Sequence, residues 1–218
     1  MEGKKVDTNN EKNQYKTLAS DIVIFVFGTV LAKAIQFILM PLYTTHMTTE
    51  AYGVAELTNN LSELFFPIAT LCIYEAAFRY AVDPDFDNSI LVKIISKVMG
   101  ASCLVGAVIA IVSRVIFSYE SAFYLYFILY AYSIRMCAAY FVRGKGQSET
   151  FVISGIINAG ALGLFNFLFL VRWNLGEIGY LISIGMSYIV SAVYLVINGQ
   201  IFNNSNNIKI VEKNNYRI

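Results

Sequence analysis

Apolar positions run along this chain in long blocks, not in strict alternation and not in a narrow helical stripe. The blocks cover about Leu18–Tyr43, Ala51–Tyr74, Ile90–Val112, Ala122–Val142, Phe151–Val171 and Ile178–Ile201. Each is near or above the roughly 20 residues that carry an α-helix across a bilayer core. Strands do not suit them. An open sheet leaves backbone groups unpaired in lipid, and no barrel-like alternation runs through the blocks. The pattern predicts an all-α integral membrane protein, a bundle of six transmembrane helices joined by short loops. A polar segment, 1–17, precedes the bundle (18–201), and a polar tail, 202–218, follows it. The first block lacks the small-residue cleavage site of a secretory signal peptide, so it reads as a retained helix.

Composition supports this reading. The hydrophobic share is 57%, the charged share 14% and the mean hydropathy +0.58, more apolar than a typical soluble domain. The net charge is only +1, but its distribution is informative. If the helices alternate in direction, Lys4, Lys5, Lys12, Lys16, Arg79, Lys93, Lys97, Arg143, Lys145, Lys209, Lys213 and Arg217 fall on one side. Only Arg114 and Arg172 fall on the other. By the positive-inside rule, both termini are expected to be cytoplasmic.

The polar residues inside the blocks are the candidate chemistry. The stretch AELTNNLSELFF, 55–66, sets Glu56, Asn59, Asn60 and Glu63 at i, i+3, i+4 and i+7, one helical face. Lys33 lies near the middle of the first block, where a charge costs about 2.5–3.5 kcal/mol on insertion scales. A short loop around His46 and Met47 predicts an antiparallel hairpin of helices 1 and 2. Its register places Lys33 beside Asn60, between Glu56 and Glu63. Helix 4 carries Arg135, with Tyr126, Tyr130 and Tyr132 nearby. Asn158 and Asn166 share a face of helix 5, and Ser183, Ser187, Ser191, Tyr194 and Asn198 form a stripe on helix 6. Ser102, Gly106, Ala110 and Ser113 form a small-residue stripe on helix 3, suited to close helix contact.

Each feature has a plainer reading beside the functional one. Lys33 forms a structural pair with a carboxylate or serves as a cavity cation. Arg135 lines a cavity or snorkels toward the end of its helix. Glu56 is either a working carboxylate or a hydrated interfacial group. The helix 4 tyrosines pack or stack sugar rings, and the Ser and Asn stripes join helices or line a path.

Several function classes lack their signatures. There is no GxxxxGK[ST] loop, HExxH or GxSxG, and His46 is the lone histidine. Cys72, Cys103 and Cys137 sit in or beside apolar blocks without metal-ligand spacing. No basic region interleaved with aromatics is available for nucleic acid. The expectation is a protein that is not an enzyme, with no cofactor, no metal and no nucleic-acid partner.

A family resemblance sharpens the picture. FILMPLYTTHMTTEAYGVAEL, 37–57, resembles the hook between the first two helices of bacterial oligosaccharide or polysaccharide flippases, with Pro41–Thr44 closing one helix and Tyr52-Gly53 opening the next. IYEAAFRYA, 73–81, resembles the end of that family's helix 2. Arg143-Gly followed by SGIINAGALGLFNFLFLVRWNLGEIGYLIS, 154–183, resembles its helix 4–5 turn, its helix 5 and the entry to helix 6. The family is similar to multidrug and toxin exporters and belongs to the same exporter superfamily. The resemblance implies one lobe of a two-lobe flippase in the bacterial cytoplasmic membrane. It also implies a lipid partner, a lipid-linked oligosaccharide carried on undecaprenyl pyrophosphate, moved by alternating access. On that basis Lys33, Asn60, Arg135 and Tyr130 are expected to bind substrate, and Glu56 and Glu63 to pair charge or couple ions. IKIVEKNNYRI, 208–218, resembles the link into a second bundle, so a second lobe or a second copy is expected to complete the transporter, the chain being a truncated or half-length form. A multidrug or cation antiporter of the same fold, and a non-transporting scaffold for polysaccharide assembly, are the other readings.

Overall fold

The computed structural model describes residues 8–83, 86–117 and 122–202, and every regular element among them is helical. They are α1 (Thr8–His46), α2 (Thr49–Ala69), α3 (Ile73–Val82), α4 (Asn88–Phe117), α5 (Ala122–Gly144), α6 (Ser148–Asn166), a π-helical stretch (Phe167–Arg172) and α7 (Gly176–Asn198). Five helices are long and apolar enough to cross a membrane, six if α2 and α3 count as one broken span. The protein is a multi-pass membrane protein of the all-α class. α1 already begins at Thr8, inside the segment expected to be a tail. The link-like stretch 208–218 lies outside the described residues, as do Lys4, Lys5, Lys209, Lys213 and Arg217.

The second apolar block is not one straight helix. α2 ends at Ala69 and α3 leaves at 63°. Pro67 sits inside α2 and has no N–H to give the Glu63 carbonyl, which weakens the ladder there. Leu71 and Cys72 then take left-handed backbone angles, φ 50° and 54°, a conformation that costs a side-chain-bearing residue about 1–2 kcal/mol. The Thr70 hydroxyl donates to the Phe66 carbonyl at 2.8 Å, so the break is held by its own bonds. The fifth block also changes winding: the Trp173 amide donates to the Leu168 carbonyl, five residues back, at 3.1 Å. Such wide turns are rare and appear mostly as single-turn bulges in α-helices.

The expected α1–α2 hairpin does not form along its length. α1 lies against α6 and meets α2 only sparsely, while α2 packs on α5 and α7. Side-chain shape explains the choice. Gly28 of α1 lies under Val152 of α6, where a methyl group would clash. Tyr43 of α1 receives a hydrogen bond from the Asn166 amide at 2.9 Å. On α2, Ala55, Thr58, Ser62 and Phe66 form the buried face, and the Ser62 hydroxyl donates to the Leu125 carbonyl of α5 at 3.3 Å. A short turn fixes chain direction but does not oblige two helices to stay together.

α5 and α7 form the centre, and Gly185 of α7 lies against the Phe127 ring where a Cβ could not fit. Small residues of this kind let membrane helices approach closely. α4 stands at the edge, with Leu104, Val108, Ile111 and Val115 exposed, as suits a lipid-facing helix. At its start the Ser89 amide donates to Asp87 Oδ1 at 2.8 Å. That bond and the nearby Lys93 charge hold the Asp87 carboxyl below its ordinary pKa. At the same end of the bundle, the Lys145 ammonium lies 4.7 Å from the centre of the Phe141 ring, and burial lowers its pKa.

Candidate functional site

Two carboxylates of α2 are met by two tyrosines of α7. The Tyr180 hydroxyl donates to Glu56 Oε2 at 2.8 Å. The Tyr188 hydroxyl points at Glu63 Oε1 from 3.5 Å, the outer limit of a hydrogen bond. α2 and α7 both start at the His46 end of the bundle and run the same way. Glu56 and Glu63 are seven residues apart, Tyr180 and Tyr188 eight, so both pairs fall into register at two turns' distance.

The Glu56–Tyr180 pair is embedded in rings. Tyr43 and Tyr52 stack with centroids 5.7 Å apart, and Tyr180 meets Tyr43 edge-on at 4.9 Å. Asn166 joins this group through Tyr43, while its own Oδ1 is buried with no hydrogen-bond partner. Asn158 Oδ1, farther along α6, is buried in the same condition.

The Glu63–Tyr188 pair lies beside the cation Arg135. Arg135 Nε donates to Ser191 Oγ at 3.1 Å, and Ser191 in turn donates to the Ser154 carbonyl of α6 at 2.8 Å. The guanidinium carbon lies 5.8 Å from the centre of the Tyr188 ring, a cation–π contact. Arg135 therefore reaches across to α7 at its own depth and does not snorkel along α5. At 1.5 Å per residue, Glu63, Arg135 and Tyr188 lie about 20 Å from the His46 end, well inside a core about 30 Å thick. A run of polar contacts thus crosses four helices at mid-span: Ser154 on α6, Ser191 and Tyr188 on α7, Arg135 on α5 and Glu63 on α2.

Comparison with protein-family models, curated proteins and solved structures finds no match to this chain.

The sequence-derived candidates divide as follows. Glu56, Glu63 and Arg135 are brought onto one α2–α5–α7 surface. Lys33 and Asn60 are exposed at similar depth on α1 and α2, helices that the bundle holds largely apart. Tyr130 lies elsewhere: it is buried beside Phe66 and Leu129, and its hydroxyl donates to the Ser102 carbonyl of α4. Tyr180 and Tyr188, which hold the carboxylates, were missed by sequence reasoning. The signal was present as two tyrosines on one face of the last helix, at nearly the spacing of the two glutamates. Among the described residues, no group of three or more His, Cys, Asp or Glu is placed to hold a metal ion.

Such an arrangement can hold an anion near Arg135, and it can carry a proton or a cation at Glu56 or Glu63. A half-buried guanidinium whose near partners are the Ser191 hydroxyl, the Tyr188 ring and, at 3.7 Å, the Met136 sulfur retains donors for a further oxygen ligand. A carboxylate held by one tyrosine hydroxyl retains acceptor positions for a proton or cation.

Proposed function

We propose that this chain is one lobe of a membrane translocator that moves undecaprenyl-pyrophosphate-linked oligosaccharide across the bacterial cytoplasmic membrane by alternating access, with both termini cytoplasmic. The observation that carries this reading is Arg135, a cation at mid-span held by Ser191 and Tyr188. Ionisable residues inside membrane spans are costly and commonly mark a substrate or ion pathway. A guanidinium is suited to a pyrophosphate because its planar fork meets phosphate oxygens two at a time. The resemblance of 37–57, 73–81 and 154–183 to oligosaccharide flippases supports the same substrate class.

In this reading Lys33, Asn60, Glu56 and Glu63 face the substrate path. Lys33, Asn60 and Glu63 are exposed on spans whose other exposed residues are largely apolar. Lipid is a poor cover for such a face, so a second lobe or a second copy of the chain closes it. Alternating access is then rocking of the two bundles about the shared site.

A second reading has its own observation. Glu56 and Glu63, each met by a tyrosine, suit a cation-coupled exporter in which the carboxylates load and release a proton or sodium ion. Paired phenotypes separate the readings in the bacterium that carries the gene. Surface polysaccharide that falls on replacement of Arg135 by Met, with unchanged drug sensitivity, supports the flippase. Unchanged polysaccharide with raised drug sensitivity on replacement of Glu63 by Gln supports the exporter.

A further inference from the structure

A second feature lies on the opposite side of α5 from Arg135 and is independent of what is translocated. A cavity of about 700 Å³ opens between α4, the end of α2 and the first half of α5. This falls within the range of about 300–1,000 Å³ usual for ligand pockets. Its walls are almost wholly apolar and include Ile68, Val105, Ile109, Ala110, Leu125 and Leu129. Along α4 the lining runs from Val98 to Ser113, about 22 Å at 1.5 Å per residue. One leaflet of a core about 30 Å thick accounts for about 15 Å of that.

Hydrogen bonds cross this groove at one level. The Ser102 hydroxyl donates to the Ala69 carbonyl of α2, and the Tyr130 hydroxyl donates to the Ser102 carbonyl. The Tyr126 hydroxyl lies 2.9 Å from Cys103 Sγ. These bonds pin the middle of α4 to α2 and α5. Toward Phe117 there is no equivalent bond among the described residues, and the lining continues there past the pinned level as far as Ser113. It is continuous with the exposed face formed by Leu104, Val108 and Ile111, which is the protein's interface with lipid. An empty apolar gap forfeits dispersion contacts along its whole lining, and here hydrocarbon is at its mouth.

We infer that this groove is a binding site for one acyl chain of a bilayer phospholipid, entering from the leaflet on the side of the α4–α5 connection. The chain lies along α4 with its terminal methyl group near Leu129 and the Ser102–Tyr130 contact. Its length suits a single straight acyl chain and not a polyisoprenoid several times longer.

The test uses the full chain in vesicles of phosphatidylethanolamine and phosphatidylglycerol. A trace of the phospholipid carries a diazirine at the end of one acyl chain, and the labelled residues are mapped after irradiation. The expected result is labelling of the Leu125–Leu129 segment, largely covered by protein, at a level comparable to exposed Leu104. Ala110→Trp, which fills the groove, cuts labelling of Leu125–Leu129 about tenfold, equivalent to about 1.4 kcal/mol of affinity, and leaves Leu104 unchanged. Ile109→Trp, at the exposed rim, gives the same result if Ala110→Trp does not fold. Labelling confined to Leu104 and the other exposed positions overturns the inference, because the groove is then closed. Crosslinks from the groove walls to a second protein copy also overturn it, as does displacement of the label by a polyprenyl phosphate but not by excess phospholipid.

Discussion

Tyr180 of α7 donates its hydroxyl to Glu56 Oε2 of α2 at 2.8 Å, inside a ring of aromatic side chains. The bond ties the two helices near the His46 end and supplies a donor to a half-buried carboxylate. Tyr180→Phe removes only the hydroxyl. Interhelical hydrogen bonds in membranes average about 0.6 kcal/mol, whereas bonds to charged groups contribute about 1.5–3 kcal/mol. The expected loss is about 1 kcal/mol, because the carboxylate is partly exposed and can recruit water. Reversible unfolding in mixed detergent micelles measures it.

Arg135 gives a different pairing of stability and activity. Removing one partner of a buried ion pair costs about 3–5 kcal/mol because the other charge is stranded, but half-buried Arg135 donates to a neutral hydroxyl and lies over a ring, so its loss strands no hydrogen-bonded counter-charge. Arg135→Met is therefore expected to unfold at or above the wild-type midpoint while losing translocation. An unfolding free energy lowered by about 3 kcal/mol or more would mean that the guanidinium serves the fold and not a ligand.

Glycines on the helix faces separate close contacts from open ones. A Cβ at Gly144 would lie 2.7 Å from the Phe78 carbonyl oxygen and 2.7 Å from Ala81 Cβ. Neither can swing aside, so Gly144→Ala forces α3 from α5 and is expected to cost about 1–3 kcal/mol. Gly160 has nothing within 4 Å of that position. Gly160→Ala is expected to stabilise α6 by about 0.5–1 kcal/mol. The same micelle unfolding assay reads both, with opposite signs.

Asp87 precedes α4 and caps it through the Ser89 amide. Its folded pKa is depressed, so its contribution is present above the unfolded carboxylate pKa and is lost as pH falls through the folded value. Thermal unfolding of wild type and Asp87→Ala should differ near pH 7. The two curves should converge in acid below about pH 3–4, around the ordinary carboxylate range.

Much of the architecture was legible in the sequence because bilayer thickness dictates block length. The blocks from Ile90, Ala122 and Ile178 correspond closely to α4, α5 and α7. Helix neighbours were not legible. Hydropathy shows that Gly28 and Ser62 are in membrane helices, but not that one seats Val152 and the other faces Leu125. That depends on the shapes of facing surfaces. The break after Ala69 was foreshadowed by Pro67, yet apolar residues continue through Leu71 and Ile73 and conceal it. At the candidate site, the polar face of α2 and the depth of Arg135 were readable from spacing alone. The tyrosines that hold Glu56 and Glu63 resembled ordinary interfacial aromatics until their register against α2 was known.

The leaflet distribution of the lipid-linked oligosaccharide tests the central claim most directly. In cells making the chain, the pyrophosphate-linked sugar reaching the outer face would be captured by an impermeant lectin or cleaved by an external glycosidase. Wild type, Arg135→Lys and Arg135→Met would be compared at equal protein level. The account predicts outer-face sugar lowered about tenfold or more by Arg135→Met, equivalent to about 1.4 kcal/mol in the limiting step, with partial retention by Arg135→Lys. Equal outer-face sugar in all three would contradict it.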